Sequence, residues 1–258
     1  MMQPIKAQYA SSKNLEARMS IYQYSSDPKP FSKWVSEQII PADHGKILEL
    51  GCGTGDLWKD LKDSFPNCEF LLSDLSEGML EKAKGNLGEN GYQYEIIDFH
   101  TIPYPDKVFD IVISNHNLYH ALDLHRVLSE IARVMKDEGV FYSTTNSIEH
   151  LASLRELLDI PDDGMWPNSV LTSKFGAESG IEILSGHFRH IERRFYENEL
   201  RIKDFAPISN YFMSVRDARV HQIIKQSENK IREKFEAEIR QYGYYKVKTK
   251  GCLFICKK

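Results

Sequence analysis

No apolar run in the 258 residues approaches the length needed to cross a bilayer. Met1-Met2-Gln3-Pro4 starts no secretory signal, because no apolar stretch follows a basic start. Cysteine is scarce: Cys52, Cys68, Cys252 and Cys256 have neither zinc-finger spacing nor the density of a disulfide framework. Cys252 and Cys256 flank Leu253-Phe254-Ile255, which reads as a buried strand, so they serve as small core residues. Charge of one sign is lacking too, since 33 Lys and Arg stand against 37 Asp and Glu for a net charge of −4. A broad nucleic-acid surface needs a basic excess to neutralise phosphates, and none is present. The local basic stretches, 189–194 and 246–250, alternate with apolar residues and read as solvated strand faces. Repeats and low-complexity tracts are also missing. These absences point to a cytoplasmic protein with no bound metal, no nucleic acid and no membrane span. The oligomeric state is not set by any of them.

What is present is a rhythm. Residues 1–45 read as mainly helical, with Phe31, Trp34, Val35 and Ile39 on one stripe of a helix ended near Pro41. From residue 46, strand-like runs at 46–50, 69–73, 93–97, 109–114 and 139–145 alternate with helix-like stretches at 56–64, 76–87 and 124–136. In the last of these, Leu124, Val127, Leu128, Ile131 and Met135 form one apolar face. Strand, helix, strand at this spacing predicts right-handed βαβ units, hence an α/β, doubly wound and mostly parallel sheet covered on both faces. Beyond 146 the rhythm changes. Prolines and isolated glycines over 146–180 suggest a helix-and-loop insertion, followed by a strand at about 188–197. "KDFAPISNYFMSV" reads as turn-rich and aromatic, 217–241 as a long amphipathic helix, and 242–256 as a closing strand. The expected divisions are a helical N-terminal cap (1–45), a ligand-binding core (46–145), a cap insertion with remaining core elements (146–241) and a C-terminal strand (242–258).

The stretch "KILELGCGTGDLWKDL", 46–61, places Gly51, Gly53 and Gly55 between a buried strand and an amphipathic run. Glycine suits a position where φ is positive or where a ligand approaches the backbone. Open parallel sheets bind ligands beyond the carboxyl ends of their strands, where the strand order reverses. A dinucleotide fingerprint would need a third glycine or alanine where Asp56 stands, and that carboxylate would repel a pyrophosphate on the helix N-terminus. Glu49 adds a second negative charge beside the turn. S-adenosylmethionine carries a sulfonium and an ammonium, which acidic surroundings favour. Asp74, ending "EFLLSD", can accept both ribose hydroxyls of either ligand. Asp98, ending "YEIID", can receive an adenine amino group with Phe99 packing the base, or it can cap a following helix.

Taken in order, "ILELGCGTG", "LLSDLSEGML", "IIDFHTIPYPDKVFDIVISNHNLYHALD" and "VLSEIARVMKDEGVFY" resemble a class I S-adenosylmethionine-dependent methyltransferase. The nearest flavour is the small-molecule group of methyltransferase type 11, which includes the ubiquinone/menaquinone enzymes. The resemblance covers 46–145 closely and the remainder only in layout. It implies a Rossmann-like, seven-stranded sheet whose last strand is antiparallel, with an α-helical N-terminal and inserted cap. It implies S-adenosyl-L-methionine as cofactor. Gly51, Gly53 and Gly55 would lie against the methionine and ribose portions, and Glu49 would help hold the ammonium. Asp74 would take the ribose with Leu75 and Met79 beside the adenine, Asp98 and Phe99 would read the base, and Asn115 would lie near the methionine moiety.

Methyl transfer from a sulfonium is an in-line displacement, for which the protein supplies proximity and alignment. A base is needed only if the acceptor must lose a proton. "SNHNLYHALD" follows the fourth strand, so His120 and His116 are the catalytic candidates, with pocket-lining histidines as the alternative reading. Tyr9, Tyr22, Tyr24, Trp166, Phe175, Tyr211 and Phe212 are cap aromatics that could cover donor and acceptor or simply form core, and Arg18 could reach a donor carboxylate. The expected activity is methyl transfer to oxygen, nitrogen or carbon of a small acceptor. The alternatives are an RNA or protein methyltransferase, a non-catalytic S-adenosylmethionine-binding protein and, disfavoured by Asp56, an NAD-dependent oxidoreductase.

Overall fold

A computed structural model describes residues 18–40, 44–59, 61, 64, 65, 67–161, 164, 166–215 and 217–258. Seven strands form one sheet: β1 (Lys46–Leu50), β2 (Glu69–Asp74), β3 (Tyr92–Ile96), β4 (Phe109–Asn115), β5 (Met135–Asn146), β6 (His190–Ile202) and β7 (Tyr245–Lys257). Their spatial order is β3-β2-β1-β4-β5-β7-β6. The pairings β1 with β2, β1 with β4, β2 with β3 and β4 with β5 are parallel, and β7 runs antiparallel to β5. The chain therefore leaves β1 in one direction for β2 and β3 and returns to its other side for β4. That reversal opens a crevice beyond the carboxyl ends of β1 and β4, where doubly wound sheets take ligands.

The helices are α1 (Phe31–Ser36), α2 (Glu77–Leu87), α3 (Leu124–Val134), α4 (Ala152–Leu157), α5 (Pro167–Phe175), α6 (Gly180–Ser185), α7 (Phe205–Ser214) and α8 (Ala218–Tyr242). At the start of α3 the Asp123 carboxylate accepts the Arg126 N–H, which satisfies a donor that the first turn leaves orphaned. Val127, Leu128, Ile131 and Val134 then bury one face. Gly243 ends α8 in the left-handed conformation, its N–H on Ile239 O, a common helix C-terminus.

Two expectations are corrected. The expected helix over 56–64 opens instead as a 3₁₀ turn, Asp56–Trp58, entered from a left-handed Gly55. Trp58, one of the apolar positions of this run, is fully buried and its indole N–H is turned to a carboxylate. The stretch "KDFAPISNYFMSV" is not turn-rich but contains α7. Its proline, Pro207, sits in the first helical turn, where no N–H is needed. Tyr9 lies outside the described residues.

The chain divides into two compact units, each with its own core. One takes the described part of Met1–Pro28 with Ile148–Ser173 and Glu197–Lys250. Ile21, Trp166, Leu200, Phe212 and Phe235 pack in its core, with Tyr22 and Tyr24 against them. Arg18 belongs to this unit, its charge acting on the buried Tyr22 and Tyr211 hydroxyls. The other unit takes Lys29–Ser147, Lys174–Tyr196 and Gly251–Lys258. Its core packs Ile47, Trp58, Phe70, Ile113, Tyr142 and Leu253. Phe175 is buried here against Phe254, its ring centroid 5.7 Å away. The expected catalytic and cofactor-binding residues, from Glu49 to His120, fall in this second unit, whereas Arg18 and the cap aromatics Tyr22, Tyr24, Trp166, Tyr211 and Phe212 fall in the first. Among the described residues no helix is long and apolar enough to cross a membrane.

Candidate functional site

Beyond β1 the backbone turns through three left-handed glycines, with φ of +74° at Gly51, +56° at Gly53 and +77° at Gly55. Their surroundings separate three roles. A Cβ on Gly51 would strike the Asn117 side chain, and one on Gly55 would lie 2.6 Å from Leu87 Cδ1. Those two glycines allow close packing. A Cβ on Gly53 would meet no protein atom within 4 Å. At Gly53 alone the backbone borders open space, as a ligand-facing position requires.

The turn is fixed to its neighbours by hydrogen bonds. The N–H groups of Gly51 and Cys52 both donate to Ser73 O, at 2.8 Å each. The Gly53 N–H donates to Asp74 Oδ2 at 3.0 Å, and the Ser76 N–H to Asp74 Oδ1 at 2.8 Å. Asp74 thus presents both oxygens in a set orientation, each with further lone-pair capacity. Burial pushes its carboxyl above the usual range, against these amide bonds. From the β4 side, Asn117 Nδ2 donates to Leu50 O at 3.1 Å, which closes the crevice floor.

Glu49 lies below this floor with 2% of its surface exposed. Its Oε2 accepts the Trp58 indole N–H at 2.6 Å and its Oε1 accepts Asn115 Nδ2 at 3.1 Å. Thr144 Oγ1 in turn donates to Asn115 Oδ1 at 3.2 Å. Both donors to Glu49 are neutral. Burial pushes its carboxyl up to about 7, the two hydrogen bonds lower it, and the charges of Asp74 and Asp56 raise it further. A buried carboxylate with neutral donors and like-charged neighbours is short of a cation.

Asp98 follows β3 in a turn and caps no helix. Its Oδ1 accepts the His100 N–H at 3.0 Å and lies 2.7 Å from His100 Nδ1. Burial alone would raise this carboxyl, but the His100 bonds outweigh it and hold the group below its ordinary value. Phe99 is half-buried with its ring edge-on to His100. Leu75 is half-buried and Met79 buried at the start of α2.

His116 and His120 both follow β4. His116 is held at a left-handed φ of +46°, its N–H donating to Thr144 O and Oγ1, and its ring lies 5.3 Å from Phe31. His120 ends the 3₁₀ turn Leu118–His120 with its ring beside Tyr119. Burial lowers each imidazole to about 4, aided at His120 by the Lys174 charge. Both rings are therefore neutral at pH 7, with a lone pair and a weak affinity for protons. Burial, followed by the charges of Glu49 and Asp74, raises the Cys52 thiol, which leaves it protonated and unreactive.

The sequence did not point to Trp58, Asn117, Thr144 or His100 as members of this site. Trp58 carries only an apolar signal along the chain, and the other three acquire partners through the fold. A groove of about 400 Å³ in the other unit, lined in part by Glu197, Glu199, Lys246 and Lys250, contains none of the expected site residues.

Residues 48–143 match a family described as Methyltransferase domain. A malonyl-[acyl-carrier protein] O-methyltransferase of Geobacter sulfurreducens is 35% identical over 107 residues, 41% of this chain and 39% of the relative. A demethylmenaquinone methyltransferase of Thermotoga maritima is 34% identical over 119 residues, 46% of this chain and 51% of the relative. The chain thus spans about half or less of these curated relatives. Among solved structures, the YcgJ protein of Bacillus subtilis superposes with a TM-score of 0.58 at 18% identity, over 88% of this chain and 97% of that one. A phosphoethanolamine N-methyltransferase 2 of Haemonchus contortus in complex with S-adenosyl-L-methionine gives 0.54 at 15% identity, over 96% of this chain and 57% of that one. At these identities the two structures speak for the fold alone.

Proposed function

We propose, from the match of residues 48–143 to a methyltransferase domain and the likeness to named methyltransferases, that the chain is a class I S-adenosylmethionine-dependent methyltransferase that transfers a methyl group from S-adenosylmethionine to a small organic acceptor. The observation that carries this reading is Glu49, a buried carboxylate that receives only neutral donors. A donor ammonium supplies the missing positive charge, whereas a pyrophosphate would meet Glu49, Asp56 and Asp74 with like charge. The residues present fit the donor in two further respects: Gly53 leaves room against its backbone, and Asp74 presents two oriented acceptors.

When bound, S-adenosylmethionine supplies a methyl group already activated on a sulfonium. The remaining work belongs to this chain. Glu49 holds the ammonium end, with Trp58 and Asn115 fixing its carboxylate. Gly51, Gly53 and Gly55 shape the backbone, and Asp74 accepts the ribose hydroxyls. Asp98 accepts the adenine amine while Phe99, Leu75 and Met79 give apolar cover to the base. Asn115 lies at the methionine end. Alignment of the acceptor within about 3–3.5 Å of the methyl carbon provides most of the rate. His120 is a neutral imidazole able to accept a proton from the acceptor as the new bond forms, and His116, packed against Phe31, is the second candidate. We attribute choice of acceptor to residues 1–45 and 146–241, outside the matched segment. The acceptor is a small molecule, free or attached to a carrier, as the names of the menaquinone and acyl-carrier relatives suggest. The cytoplasm is its proposed setting, in keeping with four free cysteines.

The deciding experiment is a thermal-shift titration of the full chain with S-adenosylhomocysteine and with NAD. At a hundredfold excess over its Kd, S-adenosylhomocysteine should add about 2.7 kcal/mol of stability. A larger shift with NAD would replace this reading with the oxidoreductase one.

A further inference from the structure

Besides its contact with Asp98 at the edge of the site, His100 ties the turn after β3 to the loop after β4. On one side its Nδ1 lies 2.7 Å from Asp98 Oδ1. On the other its Nε2 accepts the backbone N–H of Leu122 at 3.1 Å. A backbone N–H can only donate, so Nε2 is the acceptor and Nδ1 carries the hydrogen that faces the carboxylate. Both partners demand the same neutral tautomer. Arg126 adds two bonds across the same gap, Nε to His100 O and Nη2 to Thr101 Oγ1, each at 2.8 Å. The Leu122 side chain is 76% exposed. Side-chain burial therefore does not anchor this end of the loop, and the bond to His100 does.

We propose that His100 is a positioning residue that couples adenine recognition at Asp98 to the geometry of Leu118–Leu122, the segment that carries His120. The proposal rests on the donor reading above. Both His100 contacts fall on Oδ1 of Asp98, which leaves Oδ2 without a hydrogen bond among the described residues. An adenine amine donating to Oδ2 would fix the carboxylate. A fixed carboxylate holds the ring, and the ring holds the Leu122 N–H. The loop that faces the acceptor is then most ordered when the donor is in place. By linkage, ordering that loop strengthens donor binding by the same factor.

The test is residue-resolved amide exchange on the full chain, with and without S-adenosylhomocysteine. In the parent protein the ligand should slow exchange at Leu122 several-fold. His100→Ala should exchange fast at Leu122 and gain no protection from the ligand, although it still binds. His100→Gln places an acceptor near Nε2 but no donor near Nδ1, so it should restore protection at Leu122 without restoring the response. His100→Asn should do neither at Leu122. Protection at Ile131 in α3 reports that each variant is folded, and the Gln and Asn variants carry the test if His100→Ala does not fold. Equal ligand-induced slowing in the parent and in His100→Ala would overturn the coupling while leaving the donor site intact. A parent protein that does not bind S-adenosylhomocysteine would overturn the donor site, and the coupling with it.

Discussion

Donor affinity should depend on pH through Glu49, and the size of the effect can be worked out in advance. Burial places the Glu49 carboxyl at about 7, against an ordinary value of 4.5. The folded, ligand-free protein therefore holds a proton that the unfolded chain has released. At Glu49 the native state holds more proton than the unfolded chain between those values, so this group's own contribution to stability falls by about 3 kcal/mol as pH rises from about 4.5 to about 7, opposed over much of that range by the buried His116 and His120, whose lowered values make the unfolded chain the better proton binder. Donor binding reverses this. An ammonium beside Glu49 favours the carboxylate and returns its pKa toward the ordinary range. At pH 6 about nine in ten free molecules carry the proton and at pH 8 about one in ten, so apparent affinity should rise about tenfold between them. Titration calorimetry of S-adenosylhomocysteine across that range, in two buffers of different ionisation enthalpy, should record the release of nearly one proton at pH 6. His116 and His120, lowered to about 4, remain neutral in the folded protein from pH 6 to 8 and contribute no slope to donor binding. Asp74 is shifted in the same direction as Glu49, and Glu49→Gln isolates the two by removing only one. That variant should bind more weakly at pH 8, with a nearly flat profile. An affinity independent of pH in the parent protein, or an unchanged slope in Glu49→Gln, would refute the assignment of Glu49 to the donor cation.

Three further outcomes are expected. Gly53→Ala adds a methyl group in open space at a left-handed φ of +56°, so denaturant melts should show a loss of only about 1 kcal/mol, while calorimetry should show the Kd of S-adenosylhomocysteine rising by more than tenfold. Asp74→Ala removes the acceptor for the Gly53 and Ser76 amides together with the ribose contacts, and donor affinity should fall by about 1.5–3 kcal/mol; unchanged affinity in a folded variant would remove Asp74 from the site. His120→Ala should bind S-adenosylhomocysteine normally, and once the acceptor is known its turnover should fall about 10²–10⁴-fold with partial recovery at high pH if the imidazole takes a proton; a raised KM with an unchanged pH profile would show a pocket-lining role instead.

The sheet was legible because its signal is local. Ile47, Leu48 and Leu50, or Ile111, Val112 and Ile113, form short apolar runs bounded by polar residues, and the run of a buried parallel strand survives without tertiary information. The expected boundaries held at β1, moved by one residue at β2 to β4, and moved by more at β5, β6 and β7. What failed was local chemistry that the fold redirects. Pro207 reads as a breaker until it is seen within the first turn of α7. Trp58 reads as one more apolar residue, yet its indole N–H is the strongest restraint on Glu49. The ligand-facing glycine could not be told from its neighbours along the chain, because only the packing of Asn117 and Leu87 separates Gly51 and Gly55 from the open Gly53. Asp98 could cap a helix or read a base; that it ends a turn and holds His100 depends on the loop after β4.

The antiparallel pairing of β5 with β7 sets an order of events during synthesis. Phe141 pairs with Cys256 and Asn146 with Gly251, so one edge of β5 has no partner while the whole of α4 to α8 is being translated. Domains begin to fold as they leave the ribosome, and β1 to β5 with their helices have by then emerged. The nascent chain would therefore carry an unprotected strand edge, Phe141-Tyr142-Ser143-Thr144-Thr145, rich in aromatic and β-branched residues, for the time needed to add more than a third of its length. Unpaired edges of this composition recruit other strands. Conditions that slow elongation across residues 150–250 would thus penalise the yield of this protein more than its final stability would suggest, and chaperone dependence would arise from chain order rather than from a weak core.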